Sequence, residues 1–166
     1  NLLVNFKIIP TNILYHIFKN TFRSCNYKIS QKAYDEINNR YISSNDETSL
    51  DLGVNAAKKL LSNSDVRSEI DALIFITQSP DYVLPTSACI IQEKLKLSTS
   101  CMSFDVNQGC SGFVYGLAIA SSLIANKLSK KTLMICADTY TKYIDEHDRT
   151  CRPIFSDGAA AILIKS

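Results

Sequence analysis

Three observations along this chain of 166 residues predict a layered α/β fold built around a buried sheet. Ala72-Leu73-Ile74-Phe75-Ile76-Thr77 and Thr132-Leu133-Met134-Ile135-Cys136-Ala137 are near-continuous apolar runs, the pattern of strands covered on both faces. Helical spacing separates them. A strand over 101–106, with Phe104 and Val106 apolar, passes through Asn107-Gln108-Gly109-Cys110 straight into an uncharged helix over 111–126. Strands alternating with helices at this spacing give crossover units of right-handed sense.

The elements follow in order. Before Asp46 the chain is rich in Asn, Lys and Tyr without periodicity, and no element is assigned there. Thr48-Ser49-Leu50-Asp51 reads as a capping box that opens a helix running to about Leu61. The strand over 72–77 comes next, and Asp81 and Pro85 break it. Thr86 is the expected N-cap of a helix with Ala88, Ile91 and Leu95 on one face and Glu93, Lys94 and Lys96 mostly elsewhere. After the strand–turn–helix around Cys110 and the strand over 132–137 comes a polar loop, Asp145-Glu146-His147-Asp148-Arg149. Ser156-Asp157-Gly158 then opens a last apolar strand over 159–164. There is no internal repeat and no low-complexity segment.

Composition excludes several classes of function. With 46% hydrophobic and 20% charged residues the chain is globular rather than disordered. A net charge of +2 is too mild to imply nucleic acid or a membrane surface, and Lys127, Lys130 and Lys131 read as a solvated helix end. The six cysteines form no C-x-x-C pair, and with only His16 and His147 beside them no zinc site is expected. Cys101 and Cys136 read as small core residues, a usage that suits a reducing cytosol. Residues 1–20 are apolar, but Pro10 interrupts them and a basic n-region is lacking, so neither a signal peptide nor a spanning helix is assigned. The start at Asn1 and the stop just after an apolar strand both suggest a chain that continues.

Cys110 is the candidate nucleophile. A thiolate attacks where a thiol does not, and a helix N-terminus favours the thiolate through its partial positive charge and unpaired N–H groups. Gly109 and Gly112 allow a sharp turn and keep bulk away from an approaching carbonyl. The helix after Cys110 carries no charge and is expected to be buried all round. Gly112 and Gly116 form a small-xxx-small pair, but the uncharged run is shorter than the ~18 residues that span a bilayer, so close packing in a soluble core is expected. A buried structural cysteine is the alternative role for Cys110.

The succession Leu84-Pro85-Thr86-Ser87-Ala88-Cys89, Phe104-Asp105-Val106-Asn107-Gln108-Gly109-Cys110-Ser111-Gly112-Phe113, Asp148-Arg149 and Ile154-Phe155-Ser156-Asp157-Gly158-Ala159-Ala160-Ala161 resembles the N-terminal half of a β-ketoacyl-acyl carrier protein synthase III. The resemblance runs in order from about Ile37 to Ser166. It implies the thiolase-like fold, with a central mixed sheet and a buried nucleophile helix, and a C-terminal half missing from residues 1–166. It implies that an acyl group passes from coenzyme A to Cys110 and then condenses, in a decarboxylating Claisen reaction, with malonyl-acyl carrier protein. The Cys110 N–H would be an oxyanion donor. Arg149 falls at the family's coenzyme A entrance, where a permanent cation suits a phosphate; a surface charge is its alternative reading. Leu84 falls where a bulky residue reaches the partner subunit's acyl pocket, or is an ordinary loop hydrophobe. Asp157-Gly158 is expected to set turn geometry. A cytoplasmic homodimer, acyl carrier protein as partner and no cofactor beyond the thioester substrates complete the expectation, with no role for nucleic acid or membrane.

Departures from the family pattern qualify it. The family's histidine and asparagine belong to its second half, and nothing here matches them; His147, in a charged loop before Ser156, is no substitute. There is no tryptophan to stack adenine, and Asp35-Glu36-Ile37-Asn38-Asn39 stands where a glycine and an arginine are usual. Coenzyme A and a carrier protein therefore both remain as acyl donors, and 1–166 alone is expected not to condense anything. A serine hydrolase elbow around Gly109-Cys110-Ser111-Gly112 is disfavoured, because Gly-x-Ser-x-Gly spacing is absent. An acyltransferase-type or non-catalytic partner subunit of the same fold is the alternative function.

Overall fold

The computed structural model describes residues 41–62, 65–148 and 150–165. Helix α1, Ser49–Leu60, opens on the expected capping box. The Thr48 hydroxyl accepts from the Asp51 N–H at 3.3 Å, and the Asp51 carboxylate accepts from the Thr48 N–H at 3.3 Å. A 3₁₀ turn, Asp65–Glu69, leads to β1, Ala72–Thr77. Then come α2, Ser87–Lys94, β2, Met102–Asn107, and α3, Gly112–Ala125. Strand β3, Lys131–Asp138, a 3₁₀ turn, Tyr140–Tyr143, and β4, Gly158–Lys165, complete the order.

The four strands form one mixed sheet in the order β2-β1-β3-β4. Strand β1 pairs in parallel with β2 and β3, with Ile76 opposite Val106 and Cys136, while β4 runs antiparallel to β3. Because side chains alternate along a strand, β1 serves two cores at once. Leu73 and Phe75 join Leu133, Ile135 and Leu163 under α1 and α2, and Ile74 and Ile76 join Met134, Ile162 and Ile164 under α3. All six residues of β1 are buried, as the continuous apolar run requires.

Two expectations are corrected. Helix α3 is not buried all round: Gly112, Gly116, Leu117, Ala120 and Ile124 face the sheet, while Tyr115 is 54% exposed and Ala118, Ser122 and Ala125 are open. The sheet covers one face of α3, and no described residue covers the opposite one. Thr86 has the extended backbone of an N-cap, yet its side chain makes no capping bond. Asp105, from the middle of β2, does that work by accepting the N–H groups of Ser87 at 2.8 Å and Ala88 at 2.7 Å.

Candidate active site at the strand ends

The register brings Thr77, Asn107 and Cys136 to the same end of the sheet, where three parallel strands finish. There β1 leads to α2 on one face and β2 to α3 on the other. Such divergence opens a crevice at the carboxyl ends of the strands. Cys110 lies in the turn between β2 and α3 and is exposed. The turn is held locally: the Gly112 N–H donates to the Gly109 carbonyl at 2.8 Å, and the Ser111 hydroxyl donates to Gln108 Oε1 at 3.2 Å. Ser111 makes no side-chain cap bond to α3. Among the described residues nothing accepts from the Cys110 N–H.

The glycines of this turn are explained by close approach. A Cβ on Gly112 would fall 2.5 Å from Ile76 Cγ2, and one on Gly116 would fall 2.7 Å from Met134 Sδ. α3 therefore lies directly on β1, and Cys110 is carried at its tip.

Two carboxylates organise the same end of the sheet. Asp138 Oδ1 accepts from the Thr77 hydroxyl at 3.0 Å, the Gln78 N–H at 2.8 Å, the Ser79 N–H at 3.1 Å and the Ser79 hydroxyl at 2.9 Å. Ser79 also accepts the Thr139 N–H at 2.9 Å, which joins the exits of β1 and β3. Asp157 accepts the N–H and hydroxyl of Ser43 at 2.8 Å each, and the N–H and hydroxyl of Thr141 at 3.0 and 2.6 Å. Burial pushes the Asp157 carboxyl up, but these bonds outweigh it and hold its pKa below the ordinary value. The role is structural, as expected for Asp157-Gly158, but it ties Ser43 and Thr141 to the start of β4 rather than setting the turn itself. The Asp138 and Asp105 clusters went unread in the sequence, where an Asp inside or at the end of an apolar strand was the available signal.

Leu84 is 81% exposed, next to Val83 at 88%, in the loop between β1 and α2. Arg149 and the stretch over 35–40 lie outside the described residues. His147 is exposed, with Nε2 3.5 Å from the Glu146 carboxylate. Cys101 is buried and Cys136 half-buried; burial raises both thiols, that of Cys136 to about 12 with help from the Asp138 charge. Among the described residues no group of His, Cys, Asp or Glu could hold a metal ion, and no helix is long and apolar enough to cross a membrane.

A mixed sheet between helical layers, with a cysteine at the strand-to-helix turn where parallel strands end, defines a thiolase-like synthase fold. Residues 104–166 match the family model for 3-oxoacyl-[acyl-carrier-protein (ACP)] synthase III. A Xylella fastidiosa β-ketoacyl-[acyl-carrier-protein] synthase III is 40% identical over 131 residues, covering 78% of this chain and 40% of that protein. A Campylobacter jejuni protein provisionally named 3-oxoacyl-[acyl-carrier-protein] synthase 3 is 38% identical over 160 residues, 96% of this chain and 44% of that one. A crystal structure of a 3-oxoacyl-(acyl-carrier-protein) synthase III superposes with a TM-score of 0.77 at 35% identity, covering 97% of this chain and 47% of the other. A crystal structure of a 3-oxoacyl-(acyl-carrier protein) synthase from Burkholderia xenovorans gives 0.75 at 30% identity, over 95% of this chain and 44% of the other. The chain belongs to the β-ketoacyl-[acyl-carrier-protein] synthase III family and spans less than half the length of these curated relatives.

Proposed function

We propose that this chain is the nucleophile-bearing half of a condensing enzyme, with Cys110 as the residue that carries the acyl group. The Cys110 thiolate attacks the carbonyl of an acyl thioester, the carbonyl electrons move to oxygen, and collapse expels the donor thiolate, leaving the acyl group on Sγ. Malonyl-acyl carrier protein then loses carbon dioxide. Its carbanion attacks the new thioester, forms the carbon–carbon bond of a 3-oxoacyl-acyl carrier protein and returns the Cys110 thiolate. The observation that carries the reading is the exposed Cys110 at the shared end of β1 and β2, with its own N–H left without an acceptor among the described residues. That N–H is free to stabilise the oxyanion of each tetrahedral intermediate.

Arg149 binds a phosphate of the coenzyme A donor in this reading, and Leu84, with Tyr82 and Val83 exposed beside it, packs into the acyl pocket of a partner subunit. The complete enzyme is a cytoplasmic homodimer that takes acyl carrier protein as its second substrate, and residues 1–166 by themselves are inactive. The test uses the full-length protein, acetyl-coenzyme A and malonyl-acyl carrier protein. Cys110→Ala is expected to abolish the acyl mass increment on the protein and the condensation product together; acylation that persists in this variant overturns the reading.

A further inference from the structure

Gln78 follows the last residue of β1 and lies against the turn that carries Cys110. A Cβ built on Gly109 would fall 2.5 Å from Gln78 Oε1 and 3.5 Å from Gln78 Cδ, so the carboxamide fills the space that any side chain at position 109 would take. Gly109 does not adopt a positive φ, so backbone handedness does not demand a glycine there. The space beside its Cα is taken by the end of the Gln78 side chain. Gln78 is held from behind, its N–H donating to Asp138 Oδ1 at 2.8 Å within the four-bond cluster that ties the ends of β1 and β3. Its half-buried carboxamide makes no hydrogen bond among the described residues. The ladder of β1 and β2 ends at Thr77 and Asn107, so beyond it no sheet bond links Gln78 to the turn over 108–111. The side chain bridges that gap.

We propose that Gln78 is a positioning residue for Cys110: its carboxamide, laid on Gly109, keeps the peptide before the nucleophile in the conformer that presents Sγ to the thioester. The inference rests on the reading of Cys110 as nucleophile. Glycine has the widest backbone freedom of any residue, and Gly109 immediately precedes the reacting group. A contact that removes that freedom orients Sγ without touching substrate, and displacement of a reacting atom by about 1 Å can cost about 100-fold in rate.

The test compares the full-length protein with Gln78→Ala, Gln78→Met, Gly109→Ala and the Gln78→Ala/Gly109→Ala double variant, in single-turnover acylation by acetyl-coenzyme A. Gln78→Ala is expected to slow saturated acylation about 10-fold while the half-saturating concentration stays within about twofold, a split that marks loss of reactive geometry rather than of binding. Gln78→Met fills the same volume and restores the rate. Gly109→Ala places its Cβ where Oε1 lies and expels the same side chain, so the double variant is no slower than the slower single. A Gln78→Ala rate within about twofold of the parent, or a double variant slowed by the product of the two single effects, overturns the proposal. If acylation persists in Cys110→Ala, the nucleophile reading and this one fall together; if it is lost there while Gln78→Ala is silent, only the positioning role falls.

Discussion

The Asp105 carboxylate, in the middle of β2, accepts the Ala88 backbone N–H at 2.7 Å and thereby fixes where α2 begins. With the Ser87 N–H at 2.8 Å on the other oxygen, one strand residue satisfies the first turn of a helix eighteen or so positions away in the chain, a cap made through tertiary contact. The bond also sets the exit of the exposed loop that carries Leu84.

Asp105→Ala leaves both N–H groups without an acceptor in a site where Ser87 and Ala88 are fully buried. The expected loss is about 1–2 kcal/mol of unfolding free energy. It is read as a lower urea midpoint at an unchanged m-value; a midpoint equal to the parent's would show that the cap contributes nothing.

Asp105 and Asp157 respond to acid in opposite directions. Burial raises the Asp105 pKa, so the folded protein holds that proton more tightly than the unfolded chain, and its contribution falls as pH rises from 3.8 through the folded value. Asp157 is held below 3.8, so its stabilisation is present above that value and is lost as pH falls through the folded one. Urea midpoints measured across the acid range should therefore rise with pH more steeply in Asp105→Asn and less steeply in Asp157→Asn. Parallel curves for the two variants would refute the assignment.

Gly112→Ala drives a methyl to 2.5 Å from Ile76 Cγ2 and 3.2 Å from Gln108 Cβ. Ile76 is only 3% exposed and branched at Cβ, so it has little room to yield. Overpacking is expected to destabilise by about 1–3 kcal/mol, seen as a lower melting temperature. Loss of acylation should accompany it, because the same helix carries Cys110.

Thiol reactivity separates the cysteines. With its pKa pushed up to about 12, Cys136 is thiolate in only about one molecule in 10⁵ at neutral pH, and it is partly covered as well. Iodoacetamide followed by peptide mass spectrometry should label the exposed Cys110 at least about 100-fold faster than Cys136 in the folded full-length protein. Equal rates would count against an accessible nucleophile at the β2–α3 turn.

How much was legible in the sequence varies with the range of the interaction. The strand over 72–77 was read at its observed bounds because five apolar residues and a threonine, too few for a helix and rich in isoleucine, sit between polar segments. The capping box at Thr48 was legible for the same kind of reason, since both of its bonds close within four residues. Cys110 stood out because a strand, two glycines and an uncharged helix are adjacent in the chain.

Tertiary structure alone decided the rest. Thr86 has the residue type of a cap, but Asp105 won the competition because pairing of β1 with β2 sets that carboxylate beneath α2. An uncharged helix reads as buried all round, yet apolar composition states only what a face tolerates, and the sheet reaches just one side of α3. The Asp138 cluster, and the contact of Gln78 with Gly109, join segments about 60 and 30 residues apart. The chain by itself determined where strands, helices and the cysteine turn between them fall, because those follow from local periodicity and turn chemistry. Which side chains pack against the Cys110 turn was decided only when the sheet assembled, because hydrogen bonds and packing act through distance in space and a linear sequence does not carry that distance.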